Sequence, residues 1–126
     1  MAVLTGNDDV RSVSQGVIVL AGNFLVGASS AVTSQDFAGV TVTKAATATW
    51  TLTCAEVFAK LLGCSFTIYQ QGTPVDLHVQ RNTTYSATTG AFDIATVDTS
   101  TPSDTELQSG DVIDCILFMQ PTTAGL

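Results

Sequence analysis

The chain has 126 residues, room for one domain around one core, and carries a formal charge of −7 with four cations, Arg11, Lys44, Lys60 and Arg81, scattered along it. Polyphosphates and anionic bilayers are held by clustered Lys and Arg, so the composition argues against nucleic acid and membrane surfaces as direct partners. Charged residues are 12 % and hydrophobic residues 45 %, which excludes a disordered chain and implies that neighbouring subunits shield part of a surface poor in charge.

Residues 1–16 show little periodicity and are punctuated by Gly6, Asn7, Asp8, Asp9 and Gly16. They read as an extended N-terminal arm, with a short strand inside 10–14, ahead of a single β domain over 17–126. Extended termini without a core of their own commonly lie on a neighbour. That makes Val3, Leu4, Val10 and Val13 candidate interface residues. No basic start precedes an apolar run, so no secretory signal is read. The apolar stretch 17–28, broken by Gly22 and Asn23, falls short of the ~20 residues of a spanning helix. The expected setting is a cytoplasm, in which the chain stays soluble until it assembles.

Val17-Ile18-Val19-Leu20 and Phe24-Leu25-Val26 flank the turn-like triplet Ala21-Gly22-Asn23, which predicts a hairpin, followed by a polar loop over 29–36. Val40-Thr41-Val42-Thr43 alternates. Thr47-Ala48-Thr49-Trp50-Thr51-Leu52-Thr53 alternates more cleanly, with Ala48, Trp50 and Leu52 on one face of a half-buried strand. Over 54–63 the period changes: Val57, Phe58, Leu61 and Leu62 recur at helical spacing. Thr53 and Glu56 offer a capping box, and Gly63 a stop. One short helix is expected there.

Strands resume at Ser65-Phe66-Thr67-Ile68-Tyr69, at Val75-Asp76-Leu77-His78-Val79-Gln80 and at Ala91-Phe92-Asp93-Ile94-Ala95-Thr96-Val97. The last, 111–119, is apolar on both faces over its second half, as a central strand or a subunit contact would be. Ile116 and Phe118 join the interface candidates on that ground. The fold expected is all-β: an antiparallel β-sandwich or small barrel with one short helix and an extended N-terminal arm.

Catalytic chemistry finds little footing. The single histidine, His78, falls on the polar side of its strand with Asp76 and Gln80, where a surface role outweighs that of a catalytic base. Cys54, Cys64 and Cys115 have no zinc spacing, and free buried thiols suit three cysteines without an export signal, although Cys54 and Cys64 would sit across a short helix from each other. Asp98, Asp104, Glu106, Asp111 and Asp114 lie near one connection, yet their spacing fits no calcium loop; an acidic solvated loop accounts for them equally. Asn82-Thr83-Thr84 matches a glycosylation pattern that has no use without export. Tyr85, in a polar loop, is the candidate ligand contact. No cofactor, metal or catalytic residue is expected, and no enzymatic activity.

Ala48-Thr49-Trp50-Thr51-Leu52-Thr53 running into 55–62, and the closing pair Ala91-Phe92-Asp93-Ile94-Ala95-Thr96 and Leu107-Gln108-Ser109-Gly110-Asp111-Val112-Ile113, resemble small virion structural proteins of tailed bacteriophages. The resemblance spans 40–120; the cysteines and the apolar stretch 17–28 depart from it. It implies a β-rich capsid decoration or cement protein that binds the outer lattice, with the major capsid protein or other virion proteins as partners and a homo-oligomer, a trimer by preference. Its location would be the virion. The alternatives are another head–tail or tail structural role, or a β-sandwich glycan-binding module using Tyr85 and the acidic loop near Asp104.

Overall fold

In the computed structural model, which describes residues 10–11, 17–72, 74–101 and 103–121, the alternating segments become two antiparallel sheets packed face to face. The first contains β1 (Val10–Arg11), β2 (Ile18–Val26), β3 (Val32–Phe37), β6 (Lys60–Tyr69) and β10 (Val112–Gln120). Here β10 lies between β2 and β6, while β1 and β3 share the far edge of β2. The second sheet runs β4 (Val40–Ala46), β5 (Thr49–Cys54), β8 (Ala91–Asp98), β7 (Leu77–Arg81), with β9 (Ser103–Asp104) also on β8. Of the two expected architectures, the sandwich is the one found.

The core is the sum of the inward alternating sets. Phe24, Ile113 and Leu117 from the first sheet meet Trp50, Leu52 and Ile94 from the second, all fully buried. The Phe24 and Trp50 rings are 5.8 Å apart and tilted by 55°, a favourable edge-on contact. The indole N–H donates to the Ser30 carbonyl at 2.9 Å, so the largest core side chain leaves no buried donor unpaired.

Three expectations are corrected. The helix over 55–62 is absent; Cys54 ends β5, a bend follows, and β6 begins at Lys60. Its helical spacing has two local causes. Phe58 plugs the core, and its N–H and C=O, which a helix would pair internally, are both taken by the Tyr85 hydroxyl at 2.9 and 3.0 Å. Leu61 and Leu62 are adjacent because β6 bulges there: Phe118 pairs with Gly63 but Met119 with Leu61, leaving Leu62 as the extra residue. Thr53 lies within β5, not at a cap.

Nor does the chain turn at Ala21-Gly22-Asn23, since β2 runs straight through as nine residues. Gly22 serves close approach instead: a Cβ there would sit 2.5 Å from the Asp36 carbonyl and 2.6 Å from Phe37. The polar segment expected as a loop over 29–36 is largely β3, whose Thr33, Ser34, Gln35 and Asp36 are exposed at a sheet edge. Among the described residues the single helical feature is a 3₁₀ turn at Ala28–Ser30. Of the arm, Val10–Arg11 is described, as β1 on β2; Val3, Leu4 and Val13 lie outside the described residues.

Candidate functional site

Alternation in β10 splits the strand cleanly. Ile113, Cys115, Leu117 and Met119 are buried, while Ile116 and Phe118 stand on the outer face of the first sheet at 41 % and 39 % exposure. Register places Val19 and Gly63 on either side of Phe118, and Ala21 and Ser65 on either side of Ile116. Tyr69 is exposed as well, opposite Val112, with Asp114 between it and Ile116 on the outer row, and Leu62 is exposed at the β6 bulge. Val10 pairs with Val19 in the same lateral row as Phe118. The structure thus places Ile116, Phe118 and the strand carrying Val10 in one sheet.

The long edges of the sandwich differ. At the β3–β4 edge, Phe37, Val40 and Val42 are buried, and the Gln35 side chain bridges the sheets by accepting from the Val42 N–H at 2.9 Å and donating to its C=O at 3.3 Å. At the β6–β7 edge, the inward residues Cys64, Phe66, Ile68, Leu77 and Val79 pack on the core but remain half-buried. There β6 pairs with β10 alone, leaving a ten-residue edge without a sheet partner among the described residues. Lys60 and Arg81 belong to this edge, and among the described residues neither has an ion-pair partner. The sequence reading placed a strand at 65–69 but, by treating 54–63 as helix, missed that β6 starts at Lys60 and runs ten residues.

A polar lock sits near the other edge. Glu106 pairs with Lys44, Nζ to Oε2 at 2.6 Å, and accepts a short hydrogen bond from the Ala48 N–H. Lys44 also donates to the Ser29 carbonyl, and the Ser30 hydroxyl donates to the Leu107 carbonyl at 2.8 Å. Ser29, Ser30 and Ala48 all have positive φ, a costly conformation held here by converging bonds. Burial pushes the Glu106 carboxyl up, but hydrogen bonds from Lys44 and the Ala48 N–H, with the Lys44 charge, outweigh it and hold the group below its ordinary value. Ser30 is fully buried with its hydroxyl committed as a donor, so the lock fastens the 28–30 turn, the β4–β5 turn and the 105–107 segment; it presents no activated nucleophile.

The other singled-out residues disperse. Asp98 binds its own turn through Ser100. Asp111 is buried, accepting from the Gln71 and Gln108 N–H groups at 3.0 Å each, and Asp114 faces outward on β10. Among the described residues no three His, Cys, Asp or Glu side chains are grouped as a metal site. His78 is exposed on β7 beside Asp76 and Gln80. Tyr85 is half-buried, its ring against Phe92 and its hydroxyl engaged by Phe58; the structure gives it an internal bracing role. The three cysteines are free. Burial pushes the Cys54 thiol up to about 11 and, helped by Asp114 and Cys64, the Cys115 thiol up to about 12. Cys64 is raised by burial against an opposing pull from Arg81.

Comparison with protein-family models, with curated proteins and with solved structures yields no match.

Proposed function

We propose that this chain is a structural assembly protein of a virion, a capsid decoration or cement protein that binds the outer lattice of a tailed-phage head and stabilises it through subunit contacts. The observation that carries the reading is the outer face of the first sheet, where Ile116 and Phe118 lie exposed along a central strand. A small domain with so few charges loses that apolar area from water when a neighbour covers it. A ligand that binds the assembled lattice and not its dispersed subunits shifts the equilibrium toward the shell by mass action. Major capsid protein or other virion proteins are the partners, and the homo-oligomer is a trimer. The likeness of 40–120 to small phage virion proteins supports the same role. Such work calls on no catalytic group and no cofactor.

The test is co-sedimentation of the purified protein with preformed capsid shells. Wild type saturates them, and Ile116→Asp/Phe118→Asp lowers shell affinity roughly tenfold or more while its own unfolding transition holds. A wild-type protein that stays in the supernatant at all concentrations overturns the role.

A further inference from the structure

On the assembly reading above, we propose that the open β6–β7 edge receives residues 1–9 of a second copy of this chain, added antiparallel to β6. An unpaired strand edge beside an incompletely filled apolar cleft is the surface that strand addition uses: backbone groups supply affinity, and alternate side chains fill the cleft. Here the inward residues along the edge, Cys64, Phe66, Ile68, Leu77 and Val79, are all half-buried and leave apolar surface for an added strand to cover.

The donor is another copy because the same chain cannot reach. Val10 is fixed opposite Val19, in the lateral row that continues through Phe118 to Gly63. From β1 to a strand added outside β6 is four strand spacings, about 19 Å. Asp9 and Asp8 lie one and two residues from Val10, so they extend at most about 7 Å from it. Along the edge of β2 the path beyond Val10 is two residues long, opposite Leu20 and Ala21, before Phe37 of β3 takes Gly22.

Charge fits the second copy. Lys60 and Arg81, without ion-pair partners among the described residues, make one end of the edge positive, and Arg81 is near enough to act on the Cys64 thiol. Residues 1–9 carry two carboxylates, Asp8 and Asp9, behind Val3 and Leu4. An antiparallel approach brings Asp8 and Asp9 to the Lys60 end. With the acidic pair at the cations, Val3 and Leu4 fall further along β6, and strand alternation turns one of the two toward its inward row. Donor and acceptor are different surfaces, so the exchange closes as a reciprocal pair or a ring, such as a trimer.

Light scattering after size exclusion tests this on four proteins: the full chain, a chain lacking 1–9 with β1 retained, Asp8→Lys/Asp9→Lys, and that variant combined with Lys60→Asp/Arg81→Asp. The full chain is expected to be oligomeric. Truncation and charge reversal raise the dissociation midpoint by roughly tenfold or more, and the combined swap restores most of the loss. Cys64 provides a local readout, since its alkylation accelerates on truncation while that of Cys54 and Cys115 does not. Oligomer mass and Cys64 reactivity indifferent to 1–9, or a full chain monomeric at every concentration, overturn the arm exchange. Shell binding that survives truncation leaves the decoration role standing without it.

Discussion

At the β3–β4 edge the chain passes from one sheet to the other through two residues, Ala38 and Gly39; at the β6–β7 edge it does so through seven, 70–76. Gly39, with φ of +80°, turns where a side chain would strain, and the two strands it joins have no slack to part. Phe37, Val40 and Val42 are consequently buried. The longer connection places no such limit on β6 and β7, and the inward residues of both stay half-exposed. Each edge carries inward apolar residues, so hydrophobicity alone does not decide which side closes. Connection length and cross-sheet bonds do.

The largest expected difference between the edges is in core truncation. Phe37→Ala removes a buried ring from the closed side and should cost about 3–5 kcal/mol of unfolding free energy. Phe66→Ala on the open side, measured on dilute protein, should cost about half that or less, because the ring keeps part of its contact with water. Urea titrations read both. Equal losses would erase the distinction. A Phe66→Ala penalty that grows with protein concentration would sharpen it, by showing that a second chain completes the burial.

Much of this frame was legible in the sequence. Alternation located β4, β5 and β8, assigned Trp50 and Leu52 to the core, and marked the end of β10 as apolar on two faces, which the exposed Ile116 and Phe118 realise. What failed were local patterns with tertiary causes. Gly22 looks like a turn because the atoms that demand a glycine, on Asp36 and Phe37, are contributed by another strand. Leu61 and Leu62 look helical because a bulge against β10 reproduces that spacing. The Lys44–Glu106 lock joins residues 62 apart in sequence, beyond any window of periodicity. The half-open edge follows from how two strands are joined, a property no single strand displays.

A smaller contrast comes from two glutamines making the same ring of hydrogen bonds. Gln35 accepts from and donates to the Val42 backbone across the sheets, partly buried. Gln70 does likewise to Val75 within its own connection, in the open, at 3.0 and 2.7 Å. Water replaces the second pair readily and the first poorly. Gln35→Ala should therefore cost about 1–2 kcal/mol and Gln70→Ala only a few tenths, both read by chemical denaturation. A Gln70 effect as large as that of Gln35 would mean the open side is braced as firmly as the closed one.

The smallest effect concerns charge. Lys44 on β4 has Glu106 as its partner, whereas Lys60 and Arg81 at the open edge have none among the described residues. The folded Glu106 carboxyl is depressed: burial raises it, but the bonds from Lys44 and the Ala48 N–H prevail. An unfolded glutamate titrates near ~4.3. The stabilisation is then fully present above that value and is lost as the pH falls through the lower folded value. Because the pair is partly solvated, with side chains 24 % and 32 % exposed, its contribution should be under about 1 kcal/mol and weaken with salt. The check is the difference in unfolding free energy between wild type and Glu106→Gln, followed from pH 7 downward. It should shrink across the carboxylate range, whereas Lys60→Gln on dilute protein should give a flat difference. Asp98, also held low by its Ser100 hydrogen bonds, titrates alike in each protein and cancels. A Glu106→Gln difference that stays constant to pH 3 would show that the lock holds by shape and neutral hydrogen bonds, leaving the connection length as the feature that separates the two edges.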